Sequence, residues 1–565
     1  MGKNRKLFVS ISILLLVLLA IEDRGMSKED TSSVRNERIS HDTIGQQAQQ
    51  MHALLEMKRA EGFDVSKIEE LDRLSQKAAA KGDLNECLRL INEAKSVLEK
   101  LKDLPAEVKE VTVELPIDAK KVYLTTGVPN FPTGKEIKNP QKIYTPQTLD
   151  AKDGKIVLKV SNIPVFVEET IESKGKITYN KENSPFGIHE PPIDSYDPRL
   201  DDLGIHWVRL SGPSGIVWDA DEPEKGKLNF SRTDAIFKIY HDRKINMLVT
   251  IYSFNLWAQG GVNRSIKETK EGPMKGSSVK VARLPVNIDD YKNFLTKVIE
   301  RYDGDGIDDA PGSPVVNYWQ IGNEPFSMDP RWEGTSKDFA YLTKISYQTI
   351  KKANPNAFVF LAGVGYPDEY HLSYIPIFNE LDKMKDNPHD RYFDGFDFHW
   401  GVPYWAIKGS YSHMKDFVSD IRNKLDKEVP IWITEMSSYS GEPSNPPPGV
   451  FYKEKTETEH ASDLIKCYVY PLSLGIKKIF WTTLVEWHFF GNVWVNNYWD
   501  NVGLINNPLN DGQSHKKLAY YSYKLMVEKL KGYSDIIPLN LGNGIYAYKF
   551  LKGGNSIYVL WYDQN

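Results

Sequence analysis

The apolar positions between residues 185 and 484 form eight short runs, and each run is followed by a longer stretch with helical spacing. Runs of this kind are typical of strands buried on both faces of a parallel sheet. Their alternation with helices predicts an α/β fold, a (β/α)8 TIM barrel, over residues 180–515. The alternative is a doubly wound open sheet, but no glycine-rich nucleotide loop follows the first run. The predicted strands are 185–189, 205–211, 246–253, 315–322, 358–365, 393–400, 430–436 and 477–484.

The pattern changes on either side of the predicted barrel. Residues 39–105 carry apolar side chains at spacings of three and four, which predicts a helical hairpin module. Residues 106–170 switch to the alternation that is typical of strands, and residues 516–565 pass from a helix into strands again. Because a few strands alone are only marginally stable, we expect the two strand segments to form one accessory β-sandwich.

The pattern at the N-terminus predicts a targeting signal. A basic stretch precedes an apolar run at residues 7–21, which is shorter than the roughly 20 residues that span a bilayer comfortably. Residues 1–22 are therefore predicted to be a signal peptide or an uncleaved membrane anchor, followed by a polar linker over residues 23–38. We expect the protein to act outside the cytoplasm, either secreted, periplasmic or tethered to the membrane.

Charge and residue content exclude several classes of function. The net charge is −5 and the basic residues are scattered, so we expect no nucleic-acid partner. The two cysteines, Cys87 and Cys467, are far apart in the chain and suit neither a disulfide framework nor a cysteine metal site. The histidines show no HExxH spacing, so we expect no catalytic metal and no cofactor. The acidic stretch at 303–309 is interpreted as a solvated turn, with a calcium loop as the alternative.

Two glutamates end predicted strands of the barrel. Glu324 follows the fourth apolar run and Glu435 lies at the end of the seventh. An acidic side chain at such a place is costly unless it is paired or used. Hydrolysis of a glycosidic bond with retention of configuration needs two carboxyl groups about 5 to 5.5 Å apart, and a barrel supplies them from the carboxyl ends of different strands. The pair therefore indicates a carbohydrate-cleaving site.

The segments around these glutamates, YWQIGNEP and WITEMSS, resemble the acid/base and nucleophile segments of clan A glycoside hydrolases, which include families 5, 39 and 51. The resemblance covers residues 184–487. It implies a retaining glycosidase in which Glu324 is the general acid/base and Glu435 is the nucleophile. It also implies that the pKa of Glu435 is low and that the pKa of Glu324 is higher.

The same resemblance assigns further residues to the substrate site. Asn323 matches the clan's asparagine that binds the sugar 2-hydroxyl, and Arg209 matches an arginine that supports the nucleophile. His399 is expected to contact the nucleophile or the substrate, and Trp481 to form the floor beneath the sugar. His189, at the end of the first run, is a candidate for a sugar hydroxyl contact, with a structural role as the alternative. Loop tryptophans that follow strands three, six and eight are candidate sugar platforms: Trp257, Trp400, Trp405, Trp487 and Trp494.

The expected partner is thus a carbohydrate, either a polysaccharide or an oligosaccharide. The sequence leaves open whether the sugar is passed to water or to another sugar hydroxyl, as in a transglycosylase. A non-catalytic carbohydrate-binding barrel is the alternative from a different class. Sugar and linkage specificity depend on loops that the pattern does not define, and the oligomeric state is equally open.

Overall fold

The computed structural model of the protein describes a large part of the chain. The described residues are 47–48, 51–52, 55, 58, 65–81, 83–100, 110–131, 137, 143–169, 179–261, 266–268, 278–326, 331–365, 373–401, 410–444, 454–488, 496–512 and 514–563. The predicted signal peptide or anchor and the linker after it lie outside them. Within these ranges, no helix is both long and apolar enough to cross a membrane.

The elements follow the predicted alternation. Strands, numbered in chain order, are β1 (Val111–Pro116), β2 (Lys121–Thr126), β3 (Gln147–Asp150), β4 (Lys155–Val160), β5 (Val165–Glu169), β6 (Phe186–His189), β7 (Trp207–Leu210), β8 (Ile216–Val217), β9 (Asn246–Tyr252), β10 (Ile266–Glu268), β11 (Ser278–Lys280), β12 (Tyr318–Asn323), β13 (Phe358–Gly363), β14 (Phe396–Trp400), β15 (Ile431–Met436), β16 (Lys478–Trp481), β17 (Asp535–Leu539), β18 (Ile545–Lys552) and β19 (Asn555–Tyr562). Helices span Ser66–Ala80, Leu84–Lys100, Arg199–Leu203, Trp218–Asp221, Ser231–His241, Ile288–Arg301, Ser336–Ala353, Ile375–Lys383, Ser410–Lys424, Glu457–Ser473, Pro508–Asp511 and Leu518–Leu530.

Eight parallel strands form the predicted barrel. Their order is β13-β12-β9-β7-β6-β16-β15-β14. The remaining gap between β13 and β14 is bridged in parallel at Phe360–Gly395 and at Val364–Phe398. The (β/α)8 prediction is confirmed, and the open doubly wound sheet is wrong because the two end strands meet. All carboxyl ends therefore lie at one rim, as the placement of the two glutamates requires.

The barrel interior is built in layers. Its lower layer is an apolar cluster that includes Trp207, Leu248, Trp432 and Phe480. Since side chains two residues apart on a strand point the same way, the next inward layer lies two positions further along each strand. That layer is polar, and its members include Arg209, Thr250, Gln320, Asp397 and Thr434. The apolar layer closes the bottom of the barrel, and the polar layer supports the site above it.

The strand segments from both ends of the chain share one sheet. Its order is β17-β18-β19-β5-β2-β3, and β19 pairs antiparallel with β5 from Ile557–Glu168 to Leu560–Val165. The small sheet β1-β4 contributes Val113, Leu115, Ile156 and Leu158 to a buried cluster with residues of the larger sheet. The predicted sandwich made from both segments is confirmed. Neither segment buries its apolar face without the other.

At the N-terminal side, the helices Ser66–Ala80 and Leu84–Lys100 form the predicted hairpin. Their facing positions are buried in a separate cluster, which includes Ile68, Ala79, Cys87 and Ile91.

The shared sandwich makes a testable prediction about stability. Leu560 of β19 is fully buried in the cluster between the two sheets. Leu560→Ala should lower the free energy of unfolding by about 2–5 kcal/mol, because it leaves a cavity in that cluster. Urea unfolding followed by circular dichroism measures the change. The control is Ile537→Ala on the edge strand β17, where the side chain is 40% exposed. Equal effects of the two substitutions would contradict the shared core.

Candidate active site

Glu324 and Glu435 come together at the carboxyl rim of the barrel, at the ends of β12 and β15. A carboxylate oxygen of each lies within 4.8 Å of the other. His399, on β14, lies between them: its Nδ1 is 2.5 Å from Oε1 of Glu324 and 3.6 Å from Oε1 of Glu435. Both carboxyl groups keep a small exposed fraction, 22% for Glu324 and 14% for Glu435. Two carboxylates and an imidazole thus line one small opening.

Both glutamates depend on a break in the regular alternation of their strands. In β12, Gly322 has a φ of +82°, a backbone conformation that a glycine adopts without strain. This turn points Asn323 toward the barrel axis, and Glu324 follows with a φ of +42°. In β15, the register with β14 shifts so that Thr434 and Glu435 both face inward. Irregularities of this kind re-aim side chains at active sites.

Arg209 is the central cation of the site and is fully buried. One of its terminal nitrogens donates to Glu435 at 2.7 Å. The other donates to Oδ1 of Asn323 at 2.5 Å and to Oε1 of Gln320 at 2.9 Å. The guanidinium therefore fixes the Glu435 carboxylate and orients the Asn323 amide with its nitrogen free to point elsewhere. These contacts bring together Arg209, Asn323 and Glu435, as the resemblance implies.

A second buried acid, Asp397, supports this arrangement from below. Gln320 donates to Oδ2 of Asp397 at 2.6 Å, and the Thr434 hydroxyl donates to the same oxygen at 2.5 Å. Burial raises the pKa of Asp397 to about 6, although Thr434 and the charge of Arg209 oppose the shift. Gln320 thus links the charge of Arg209 to that of Asp397. The sequence analysis did not indicate Gln320 or Asp397, although a polar side chain inside an apolar strand is a visible signal.

Charges around His399 set the proton balance of the site. Burial alone would lower the pKa of His399, but the nearby Glu435 and Glu324 carboxylates raise it above the ordinary value. Burial would raise the pKa of Glu324, yet the charge and hydrogen bond of His399 and the charge of Arg331 lower it. The pKa of Glu435 is also lowered, since His399, His189 and Arg209 together outweigh burial. The low pKa expected for Glu435 agrees with this balance. The higher pKa expected for Glu324 does not, because the charge and hydrogen bond of His399 lower it.

His189 contacts Glu435 instead of lining an open cavity. Its Nε2 is 3.4 Å from Oε1 of Glu435, and its Nδ1 is 3.2 Å from Arg209, while only 2% of the side chain is exposed. Burial lowers the pKa of His189 to about 3, so the ring is neutral at physiological pH. Since Arg209 faces Nδ1 with a donor, the proton of the neutral ring lies on Nε2, toward Glu435. The structure favours the structural alternative for this histidine.

Trp481 does not form the floor of the site, which corrects the expectation. It is fully buried, its ring stacks on His460 at 5.7 Å and on Tyr468 at 6.4 Å, and its indole N–H faces the carbonyl of Val502. The physical reason is strand alternation: Phe480 points into the barrel, so Trp481 points outward onto the helix Glu457–Ser473.

Of the five candidate sugar platforms, two pack within the fold, one borders the site and two lie outside the described residues. Trp400 is buried against Phe417 outside the barrel, and the N–H of Trp257 donates to the carbonyl of Glu222, just after the helix Trp218–Asp221. Trp487 lies edge-on to His189 at 6.5 Å and packs on Trp499, so it borders the site. Two further candidates, Trp405 and Trp494, lie outside the described residues.

Loop residues that the sequence pattern did not indicate complete the site. Glu190 follows β6 with a φ of +44°, and its Oε1 lies 3.8 Å from Nε2 of His189. Burial, followed by the charge of Glu435, raises the pKa of Glu190 to about 7. Arg331 lies after β12, where its charge acts on Glu324 and Glu435. Residues brought together from separate loops leave no periodic signal in the sequence.

Among the described residues, two groups have at least three ligand atoms close enough for a metal ion: Glu324 with His399 and Glu435, and Glu300 with Asp303 and Asp305. In the first group the carboxylates and the imidazole already interact with each other. In the second group, Glu300 lies in the last turn of the helix Ile288–Arg301. Asp303 and Asp305 belong to the acidic stretch interpreted as a turn, and their side-chain oxygens accept from nearby backbone N–H groups.

Comparisons with known proteins add the following findings. A family model described as a domain of unknown function, DUF1843, matches residues 75–116. No curated protein matches the chain. A solved glucosidase from Croceicoccus marinus is similar at 15% sequence identity and a TM-score of 0.44, over 65% of this chain and 74% of that chain. A GH39 β-xylosidase from Caulobacter crescentus is similar at 14% identity and a TM-score of 0.42, over 67% of this chain and 79% of that chain.

Xylanase 10B from Thermotoga petrophila RKU-1, solved with xylobiose, is similar at 15% identity and a TM-score of 0.40, over 63% of this chain and 99% of that chain. The activities that these three names state are those of the similar proteins. The barrel of this chain is defined by its own strand order.

The buried link between Arg209 and Asp397 yields a prediction. Gln320→Leu should lower the free energy of unfolding by about 3–5 kcal/mol, because it leaves two buried charged groups without their shared partner. Urea or thermal unfolding measures the loss. The matched control is Gln348→Leu, where an exposed glutamine bonds Asp386 at the surface and little change is expected. If both variants unfold alike, the polar layer is not coupled as described.

Proposed function

We propose that this protein is a retaining glycoside hydrolase that cleaves O-glycosidic bonds of a polysaccharide or oligosaccharide. The observation that carries the proposal is the pair of carboxyl groups at the ends of β12 and β15, with oxygens within 4.8 Å of each other. Retaining enzymes place their two carboxyl groups about 5 to 5.5 Å apart, whereas inverting enzymes need a wider gap for a water molecule. The resemblance of both segments to clan A enzymes supports the same assignment.

In the first step, Glu435 acts as the nucleophile. Arg209 and the neutral His189 stabilise its carboxylate in the ionised form. An oxygen of Glu435 forms a bond to the anomeric carbon while the bond to the leaving oxygen breaks. The leaving oxygen takes a proton from Glu324. The product of this step is a covalent glycosyl-enzyme and a free alcohol.

The proton for this step is held by Glu324 and His399 together. Their hydrogen bond of 2.5 Å lets one proton serve both groups. As negative charge grows on the leaving oxygen, Glu324 becomes the donor. In the second step, Glu324 accepts a proton from water, the water oxygen bonds to the anomeric carbon, and the ester to Glu435 breaks. Both residues return to their starting state.

Asn323 is proposed to bind the substrate. Its Oδ1 accepts from Arg209, so its amide nitrogen is the atom available to donate to a sugar hydroxyl. This matches the 2-hydroxyl contact that the resemblance implies. We further propose that the enzyme acts outside the cytoplasm, because of the basic and apolar N-terminal segment at residues 1–22.

Substitution of each glutamate tests the assignment. Glu324→Ala and Glu435→Ala should each lower the turnover of an aryl glycoside by several orders of magnitude, roughly 10³-fold or more. The control is Glu224→Ala, an exposed glutamate paired with Lys227, which should keep normal turnover. Unchanged turnover in either glutamate variant would remove the assignment.

Azide distinguishes the two roles. In Glu435→Ala, azide should enter the vacated space and give a glycosyl azide of inverted configuration. In Glu324→Ala, azide should attack the glycosyl-enzyme and give the retained configuration, because Glu435 still acts first. Product analysis by NMR reads the anomeric configuration. The opposite pairing of variant and product would exchange the two roles.

The pH profile tests the shared proton. In the native enzyme the alkaline limb of kcat/KM reports loss of the proton from the coupled pair of Glu324 and His399, and the raised pKa of His399 places that limb above the ordinary histidine value. His399→Gln removes the imidazole that stores the proton, so the limb should move to lower pH. An unchanged limb would mean that His399 does not share the proton.

A further inference from the structure

A pocket of about 180 Å³ opens beside Asn323. Its walls are mainly apolar and include Phe254, Trp332 and Phe339. Arg331 is the single charged side chain among the described residues that line it. Because Asn323 borders both the pocket and the Arg209 network, the pocket adjoins the bond that the two glutamates would cleave.

The backbone around Arg331 is held in place. The N–H of Ala282 donates to the carbonyl of Arg331 at 2.7 Å, and the N–H of Glu333 donates back to Ala282 at 2.7 Å. Trp332 donates to the carbonyl of Pro325 at 3.0 Å, and its ring packs edge-on against Phe339 at 5.2 Å. These contacts hold the backbone on both sides of Arg331, and the side chain of Arg331 lines the pocket.

The charge of Arg331 lacks a direct partner in the part of the chain that the structure describes. Its Nε is buried without a hydrogen bond, and no described carboxylate lies within 4.0 Å of the guanidinium. The neighbouring Arg283 also has a buried Nε without a hydrogen bond, but one of its terminal nitrogens pairs with Glu333 at 2.7 Å. The two catalytic carboxylates are already engaged, Glu435 by Arg209 and Glu324 by His399. The Arg331 side chain is half-buried, and its terminal nitrogens are the charged groups that an anion in the pocket can reach.

We propose that this pocket binds the carboxylate of an acidic sugar, a uronic acid residue next to the bond being cleaved, with Arg331 as the specificity-determining residue. The proposal rests on the proposed glycosidase function, which supplies the sugar. A guanidinium and a carboxylate match as planar groups joined by two parallel hydrogen bonds. The apolar walls fit the ring faces of a sugar.

The charge of Arg331 also disfavours neutral sugars. A hydroxymethyl group in the place of the carboxylate displaces water from Arg331 without supplying the missing charge. Sites built around such a polar contact discriminate strongly against the analogue that lacks it. Glu190 is not a direct partner either, since its charge acts on Arg331 only from beyond 4.0 Å.

Binding to the full-length protein tests the proposal. Isothermal titration calorimetry compares matched pairs that differ only at the carboxylate: glucuronate with glucose, and galacturonate with galactose. We expect at least one uronate to bind about tenfold or more tightly than its neutral partner, and added salt to weaken that preference. Arg331→Gln should abolish the preference, while the matched variant Arg283→Gln, at the paired arginine, should retain it.

Three outcomes would overturn the proposal: no uronate preferred over its neutral partner, a preference that survives in Arg331→Gln, or a hexose 6-sulfate that binds more tightly than the uronate and so makes a sulfate the pocket's anion. Thermal unfolding of both arginine variants confirms that they are folded. Binding does not require catalysis, so its failure is distinct from failure of the proposed function. If Glu324→Ala and Glu435→Ala lose turnover while no uronate preference exists, only the substrate proposal fails.

Discussion

The buried guanidinium of Arg209 is the interaction on which the site depends. It lies on β7 and reaches side chains of β12 and β15, so it joins three strands of the barrel through Glu435, Asn323 and Gln320. A buried cation of this kind is stable only while its partners keep their places. The barrel supplies that rigidity through the closed ring of parallel strands and the apolar layer beneath. The positions of Glu435 and Asn323 at the rim, and the charge around them, therefore depend on Arg209.

The sharing of a proton is a second consequence of how closely the charged side chains of the site are packed. Glu324, Glu435 and His399 lie so close together that none titrates independently. His399 shares the proton that a lone acid/base residue would carry, because its Nδ1 faces both carboxylates. Gly363 has no side chain and so leaves room for the ring. The catalytic proposal and the charge balance therefore describe one arrangement.

Much of the site was predictable because strand ends are visible in the sequence. Glu324 and Glu435 meet because both lie at the carboxyl ends of apolar runs that a barrel gathers at one rim, whereas Arg209 and Asn323 were expected there from the resemblance to clan A enzymes. Trp481 was assigned wrongly because a pattern of apolar residues does not state which face of a strand points inward. The sequence pattern did not indicate Arg331 and Glu190, because both lie in loops, where apolar residues do not recur at a regular spacing.

The sequence by itself determined the barrel, the pairing of strands from both chain ends and the two glutamates. Each follows from local periodicity and from the need to bury apolar faces. Only the tertiary structure decided which side chains face the axis, because a positive φ at Gly322 and a register shift in β15 override alternation. It also decided that His399 lies between the two carboxylates and that Arg331 lines the pocket. Those facts depend on distances between segments far apart in the chain, which no local pattern contains.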